Sequence, residues 1–330
     1  MQAKLAETLN ERGVALIVVL WIFIFLFAVA FDFSLTVRDE ASAAHRFNDE
    51  TQGYYLALAG FQRGLYDLMH QAAGVDFDDL RDRRDLFDGE WREGKLTGGS
   101  YRVRFVDEGG KININRADEA TLHRIFLNLG IEEPRRTILV DSILDWRDAD
   151  DLHRVNGAES EYYRSLHPAY TAKNGPFETL EDLLWVRGMN AALFYGASDA
   201  LRRETPAIPF RRIFTVDSAI DRINLRTASA EVIHALLGMP LDQARAFIEE
   251  RRKLSGKSIG DLLRLLGIGA QDAMLRMFVF SNPTVISVEA EGRPGESSSG
   301  HRLRGVVRTS GARGFELLRW TDRDVASVEN

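Results

Sequence analysis

The sequence predicts an α+β chain. A long N-terminal helix, part transmembrane and part amphipathic, leads into an antiparallel sheet, and a large inserted all-α domain interrupts that sheet. Three observations predict this. Residues 14–31 form one apolar run without a charge. Strand-like alternation occurs in two places far apart, at 101–107 and again from 284 to 320. Between them lie two matching helical motifs.

Val14 to Phe31 is long enough to cross a bilayer. Eighteen residues at ~1.5 Å each reach ~27 Å, close to the ~30 Å hydrocarbon thickness. A buried core helix is the other reading of such a run, and a cleaved secretory signal would be shorter and end in small residues. Here every face is apolar and Asp32 closes the run abruptly. From Asp32 to about Ala73 the pattern turns amphipathic. Leu35, Val37, Ala41, Ala44, Thr51, Tyr55, Leu58, Leu65 and Met69 recur at helical steps, and no proline occurs before Pro134. Span and arm together would form one rod of ~90 Å.

Tyr101-Arg-Val-Arg-Phe-Val-Asp107 alternates, with the apolar residues on one face and Arg102 and Arg104 on the other. Thr284–Glu291, His301–Arg308 and Phe315–Trp320 alternate in the same way, with turns expected at Gly292–Gly300 and Ser310–Gly314. The acidic stretch Phe77–Trp91 reads as a surface loop before the sheet.

The middle of the chain repeats itself. Ile112-Asn-Ile-Asn-Arg-Ala117 matches Ile223-Asn-Leu-Arg-Thr-Ala228. Thr179-Leu-Glu-Asp-Leu-Leu-Trp-Val-Arg-Gly-Met189 matches Ser258-Ile-Gly-Asp-Leu-Leu-Arg-Leu-Leu-Gly-Ile268. The Thr or Ser with an acid three residues on is a capped helix start, and the glycine a stop. Apolar-periodic helices are expected at Ala120–Leu129, Arg135–Trp146, Ala230–Leu237 and Leu241–Arg251. The organisation that follows is a leader at 1–13, a transmembrane helix at 14–31, an arm at 32–73 and sheet regions at 74–111 and 282–330. The inserted domain covers 112–281, with repeats at 112–189 and 223–268.

The first repeat is longer than the second by about 32 residues, placed after the helix ending near Asp145. From Asp141 to Glu161 this insertion carries seven acids against Arg147 and Arg154. Carboxylates at near-alternate positions, then Gly157 and Glu159, suit a hard, oxygen-seeking cation. The spacing is not that of an EF-hand, and a solvated acidic loop is the other reading. His153 has no second histidine nearby to suggest a transition metal.

Composition narrows the functions. With 42 Lys+Arg against 49 Asp+Glu, the net charge of −7 gives no general attraction to nucleic acid. The absence of cysteine excludes disulfides, thiolate metal sites, iron–sulfur clusters and cysteine nucleophiles.

Two resemblances follow from the motifs. The repeats are similar to the tandem helix-hairpin-helix (SAM-like) modules that hold DNA phosphates. Yet their hairpins read Leu129-Gly-Ile-Glu-Glu-Pro134 and Leu237-Gly-Met-Pro-Leu241 and lack the second glycine. The other resemblance is much closer. Glu-Arg-Gly13 followed directly by Val14-Ala-Leu-Ile resembles a prepilin-type signal, in which cleavage falls after the glycine. Val18 stands at the fifth mature position, where most pilins carry Glu. With Asp141-Ser-Ile-Leu-Asp-Trp-Arg-Asp-Ala-Asp150, Gly157-Ala-Glu159, Tyr162-Tyr163, Pro168-Ala-Tyr170 and Asn174-Gly-Pro-Phe177, the chain resembles the K-type minor pseudopilins of type II secretion systems. That resemblance implies a pilin-like sheet with an inserted helical domain and no enzymatic activity. It implies a place at the pseudopilus tip with the I- and J-type minor pseudopilins and the inner-membrane platform. It also implies processing between Gly13 and Val14 by a prepilin peptidase, with methylation of the new terminus, and Val18 in the filament packing. The protein would be a single-pass inner-membrane protein with its C-terminal domain in the periplasm and no nucleic-acid partner. Calcium is implied in the acidic loop at Asp148, Asp150 and Glu159, with Asp145, Asp151 and Glu161 as further ligands. The competing readings are a membrane-tethered helix-hairpin-helix DNA-binding protein and a metal-dependent hydrolase. The latter finds no His-Glu-Xaa-Xaa-His, Gly-Xaa-Ser-Xaa-Gly or Walker motif here.

Overall fold

A computed structural model describes residues 2–72, 86–87, 89–196, 208–253, 259–269, 273–295, 300–309 and 314–322. Most of the Phe77–Trp91 stretch lies outside them, as do the centres of the two expected turns after Gly292 and Ser310.

Helix α1 runs without a break from Gln2 to Ala72. Among the described residues it is the one helix long and apolar enough to cross a membrane, with a mean hydropathy of 3.2 over its most apolar window and none of that window buried. Its C-terminal third lies on the sheet, where Leu56, Ala57, Phe61 and Leu68 are buried. Gly60 permits the close approach there. A Cβ at that position would come within 2.7 Å of the Tyr101 ring.

The sheet has five strands: β1 (Arg92–Leu96), β2 (Gly99–Asp107), β7 (Val285–Pro294), β8 (His301–Thr309) and β9 (Phe315–Asp322). They lie in the order β1-β2-β7-β8-β9, and every pairing is antiparallel. The alternation anticipated for residues 101–107 holds. Val103 and Phe105 are buried with Ile286, Val288, Ala290 and Val307 against Phe61 and Leu68 of α1. The opposite face is a charged ladder. Arg102 lies across from Glu291 and Arg104 from Glu289, with ion pairs of 2.7 and 2.6 Å. Arg302 and Arg293 also pair with Glu291, at 3.0 and 2.8 Å. Opposite charges at paired positions stabilise a sheet face that water reaches only partly. Trp91 covers this ladder, stacked 4.6 Å from the Arg102 guanidinium and 4.5 Å from that of Arg104.

Between β2 and β7 the chain builds a second, separate core from β3 (Ile112–Asn113), α2 (Glu119–Asn128), α3 (Arg135–Arg147), α4 (Ser160–Arg164), α5 (Ala191–Tyr195), α6 (Phe210–Ile213), β4 (Phe214–Thr215), β5 (Ile223–Asn224), α7 (Ala230–Leu237), α8 (Leu241–Lys253), α9 (Ile259–Leu265) and β6 (Phe278–Val279). The segment is mostly helical. It departs from an all-α reading at the repeated Ile-Asn motif, which forms two-residue parallel pairs, β3 with β4 and β5 with β6. A second departure is Leu180–Trp185, expected as an α-helix, which winds as a 3-10 helix behind a Thr179/Asp182 capping box.

The two repeats share their internal bonds. Asn113 donates to the Ser218 carbonyl at 3.1 Å and Asn224 to that of Ser281 at 3.0 Å. Arg147, at the end of α3, donates to the Ile114 and Ala117 carbonyls. Arg251, near the end of α8, does the same to those of Leu225 and Ala228. A guanidinium offers five fixed donors, so one side chain can satisfy two carbonyls of a turn at once.

Asp107 and Glu108, at the end of β2, tie this block to the sheet. Asp107 accepts from Asn224 at 2.8 Å and Thr227 at 2.6 Å. Glu108 is fully buried and accepts from Ser287 and Arg304 of the sheet and from Thr215 and Lys111 of the block.

Candidate functional site

The acidic insertion begins where α3 ends. Helix α3 packs its apolar side into the block core, so its last turn carries Asp145 inward, with no exposed surface, and leaves Asp148 half-buried as the C-terminal cap. The chain then loops outward and returns at Gly157. Glu159, 4% exposed, is the N-cap residue of α4. Carboxylate oxygens of Asp145, Asp148 and Glu159 all lie within 4.8 Å of one another.

Backbone donors hold the loop. Asp145 accepts from the Arg154 N–H at 3.1 Å, and the Arg154 guanidinium lies 3.4 Å from the same carboxylate. Asp141 accepts from the Asn156 N–H at 3.1 Å. Gly157 passes so close to Asp145 that a Cβ there would overlap its carboxylate. Asn174, in the left-handed region at φ 49°, donates to the Asp150 carbonyl and to Asp151, both at 3.0 Å. Arg187 donates to the Gly157 carbonyl at 2.9 Å. Beneath the loop, Trp146, Tyr163, Tyr170 and Phe177 form a continuous aromatic floor, with Trp146 and Tyr163 edge-on at 5.1 Å.

Electrostatics set this cluster apart. Both Glu159 oxygens and Oδ1 of Asp148 are buried without a hydrogen-bond partner among the described residues. Burial first, then the neighbouring carboxylates, pushes the Glu159 carboxyl up to about 7. Burial likewise raises Asp145 to about 6, against the Arg154 N–H that favours its charged form. Asp148 moves in the same direction through burial and the charge of Asp150. Three convergent carboxylates, with Arg154 beside Asp145 but no donor on Glu159 among the described residues, are what a hard divalent cation would complete, and the all-oxygen donor set fits calcium.

Of the six acids singled out in the sequence, the structure brings together Asp145, Asp148 and Glu159. Asp150, Asp151 and Glu161 are exposed and stand outside that cluster. Asp150 instead accepts from the Leu152 N–H at 2.9 Å. His153 is exposed, with its ring nitrogen 3.0 Å from the Arg154 carbonyl. Arg187 and Asn174 were not among the sequence candidates. At the other end, α1 passes straight through Gly13 and Val14, and Val14 and Val18 are both exposed.

Fold and site together define an α+β chain with an N-terminal helix long and apolar enough to cross a membrane, whose sheet is split by a helical insertion with an acidic centre. Comparisons make this specific. Two family models, both described as type II secretion system (T2SS), protein K, match residues 104–198 and 223–279. The chain is 26% identical to type II secretion system protein K of Pseudomonas aeruginosa over 279 residues, which is 78% of this chain and 77% of that one. It is 38% identical to the protein of the same name from Klebsiella pneumoniae over 71 residues, 22% of each chain. Its fold is similar to a chain in the crystal structure of the GspK-GspI-GspJ complex from the type 2 secretion system of enterotoxigenic Escherichia coli. That match has a TM-score of 0.60 at 14% identity and covers 86% of this chain and 99% of the other. The chain belongs to the type II secretion system protein K family.

Proposed function

We propose that this chain is a minor pseudopilin that caps or nucleates the type II secretion pseudopilus at its tip, bound to the I- and J-type minor pseudopilins and assembled on the inner-membrane platform. The observation that carries this reading is the free face of α1. Its sheet-facing side is buried at Leu56, Ala57, Phe61 and Leu68, yet Phe33, Val37, Phe47, Tyr55, Tyr66 and Met69 are exposed. At 100° per residue these six fall within a sector of about 100° turned away from the sheet, with exposed Leu35 outside it. A helix with two apolar faces needs a second partner, and parallel helices of neighbouring subunits suit it. The relative in the GspK-GspI-GspJ complex supports that choice of partners.

Val18 supports the tip position. A carboxylate in an apolar bundle is tolerated only beside a positive partner. Valine at the fifth position after Gly13 removes the need for one contributed from above. The wide helical block, inserted between β2 and β7, then blocks further addition. In this reading the block faces the periplasm, and Asp145, Asp148 and Glu159 hold calcium. With the ion bound, the three carboxylates share one positive centre, which joins the end of α3 to the start of α4.

The test is the mature terminus of the membrane-extracted protein, read by mass spectrometry. A chain starting at Val14 is the expected outcome. An intact Met1 would mean a plain signal anchor and would end the pseudopilin reading.

A further inference from the structure

We infer that Arg187 is the positioning residue of the acidic centre, and that it sets the cation affinity by bracketing Glu159 from both sides. This rests on the reading of Asp145, Asp148 and Glu159 as a calcium site. Asp145 and Asp148 belong to the end of α3 and are placed by that helix. Glu159 arrives from the far side of a long loop, so something else must place it. Before Glu159, the Arg187 guanidinium donates to the carbonyls of Gly157 at 2.9 Å and Asn156 at 3.5 Å. After it, the same guanidinium stacks on the Tyr162 ring at 4.8 Å, and the Arg187 N–H donates to the hydroxyl of buried Tyr163 at 3.2 Å. One residue therefore holds the chain two and three positions before Glu159 and three and four positions after it.

The second repeat is an internal control. Thr179–Met189 aligns with Ser258–Ile268, which sets Arg187 against Leu266. Both are followed by a glycine in the left-handed region, Gly188 at φ 85° and Gly267 at φ 71°, so the turns match. Leu266 is 8% exposed and packs in the block core. The repeat without an acidic insertion thus fills this position with an apolar side chain, and the repeat that has one places an arginine there. The turn alone does not require arginine. Outer partners of this kind orient metal ligands, and their loss commonly weakens metal binding about 10–100-fold.

The experiment uses the full chain in detergent and compares wild type, R187A and R187K. Calcium affinity is measured by titration calorimetry, and thermal unfolding is followed in calcium and in EGTA. R187A is expected to weaken calcium binding at least about tenfold. R187K should recover part of the loss, because an ammonium can still reach one carbonyl. In EGTA the variants should fall below wild type by only the few degrees that the lost hydrogen bonds and ring contact cost, and by less than they fall in calcium. Wild type that binds calcium while R187A binds it equally well would overturn the role of Arg187 alone. Equal destabilisation of both variants in EGTA and in calcium would make Arg187 an ordinary structural residue and would also overturn it. A wild type that takes up no calcium, and melts in its presence as D148A/E159A does, would remove the site and the bracket together.

Discussion

Asp145, Asp148 and Glu159 show how a fold can make charge costly and then rely on it. Among the described residues the Glu159 oxygens have no donor, and burial with the neighbouring acids pushes its carboxyl up to about 7. Replacing Asp148 and Glu159 by alanine removes two mutually repelling acids, one half-buried and one buried. The double variant should melt at or above wild type in chelator and should lose the stabilisation that calcium gives wild type, as read by thermal unfolding in calcium and in EGTA. The opposite electrostatic case occurs at the junction. Burial raises the Glu108 carboxyl, but Lys111, Arg304, Ser287 and Thr215 outweigh it and hold it at about 2. At Glu291, burial is outweighed in the same way by Arg102, Arg302 and Arg293, again to about 2. Both titrate below the ordinary value of 4.5. As pH falls, the unfolded chain therefore takes up these protons first. The stability they contribute is complete above about pH 5 and is lost between roughly pH 4.5 and 2. Denaturant unfolding across that range should show the decline, and E291Q should flatten it.

At the scale of elements, the contact of α1 with the sheet depends on small residues where the two approach most closely. Gly60 lies against the Tyr101 ring, whose Cδ2, Cγ and Cβ atoms line the contact, so there is no flexible end to move aside. Gly60→Leu should therefore force helix and sheet apart and cost about 1–3 kcal/mol or more, measured by denaturant midpoint. The same change at half-buried Gly89, where an added Cβ meets nothing within 4 Å, should cost only backbone strain at φ 79°. The sheet also manages its edges unequally. β1 is five residues long and charged, whereas β9 carries Phe315, Leu317 and Trp320 partly exposed. Short charged edges resist unwanted strand pairing. Trp320 is anchored edge-on to Phe61 of α1 at 4.9 Å, which ties the last strand to the helix.

For the whole molecule, assembly should separate from folding. Phe47 and Tyr55 are 71% and 64% exposed on the free face of α1. Converting both to Glu should leave the melting temperature nearly unchanged, because surface substitutions of this kind shift stability by only about ±0.5 kcal/mol. Co-purification with the I- and J-type pseudopilins of the same system should fall sharply, since two charges would enter a helix–helix seam. Retention of both partners at wild-type levels would place the interface elsewhere.

Some of this was legible in the sequence because it is periodic and local. The apolar run to Phe31, the arm to Ala72, the alternation at Tyr101–Asp107 and the paired Ile-Asn and Asp-Leu-Leu motifs each follow from spacing within a few residues. Helix and strand periods arise from backbone geometry, so composition along the chain reveals them. The length difference between the repeats likewise exposed the acidic insertion. Tertiary structure decided the rest. Six acids were candidates, Asp148, Asp150 and Glu159 ahead of Asp145, Asp151 and Glu161, and only the path of the loop brought Asp145, Asp148 and Glu159 together and left Asp150 exposed with Asp151 and Glu161. The same holds for Arg187 reaching Gly157 and for Glu108 joining Thr215 to Ser287. Hydrogen bonds and desolvation act over a few ångströms between residues tens to nearly two hundred positions apart. No local pattern encodes such a distance, because it exists only once both cores have closed.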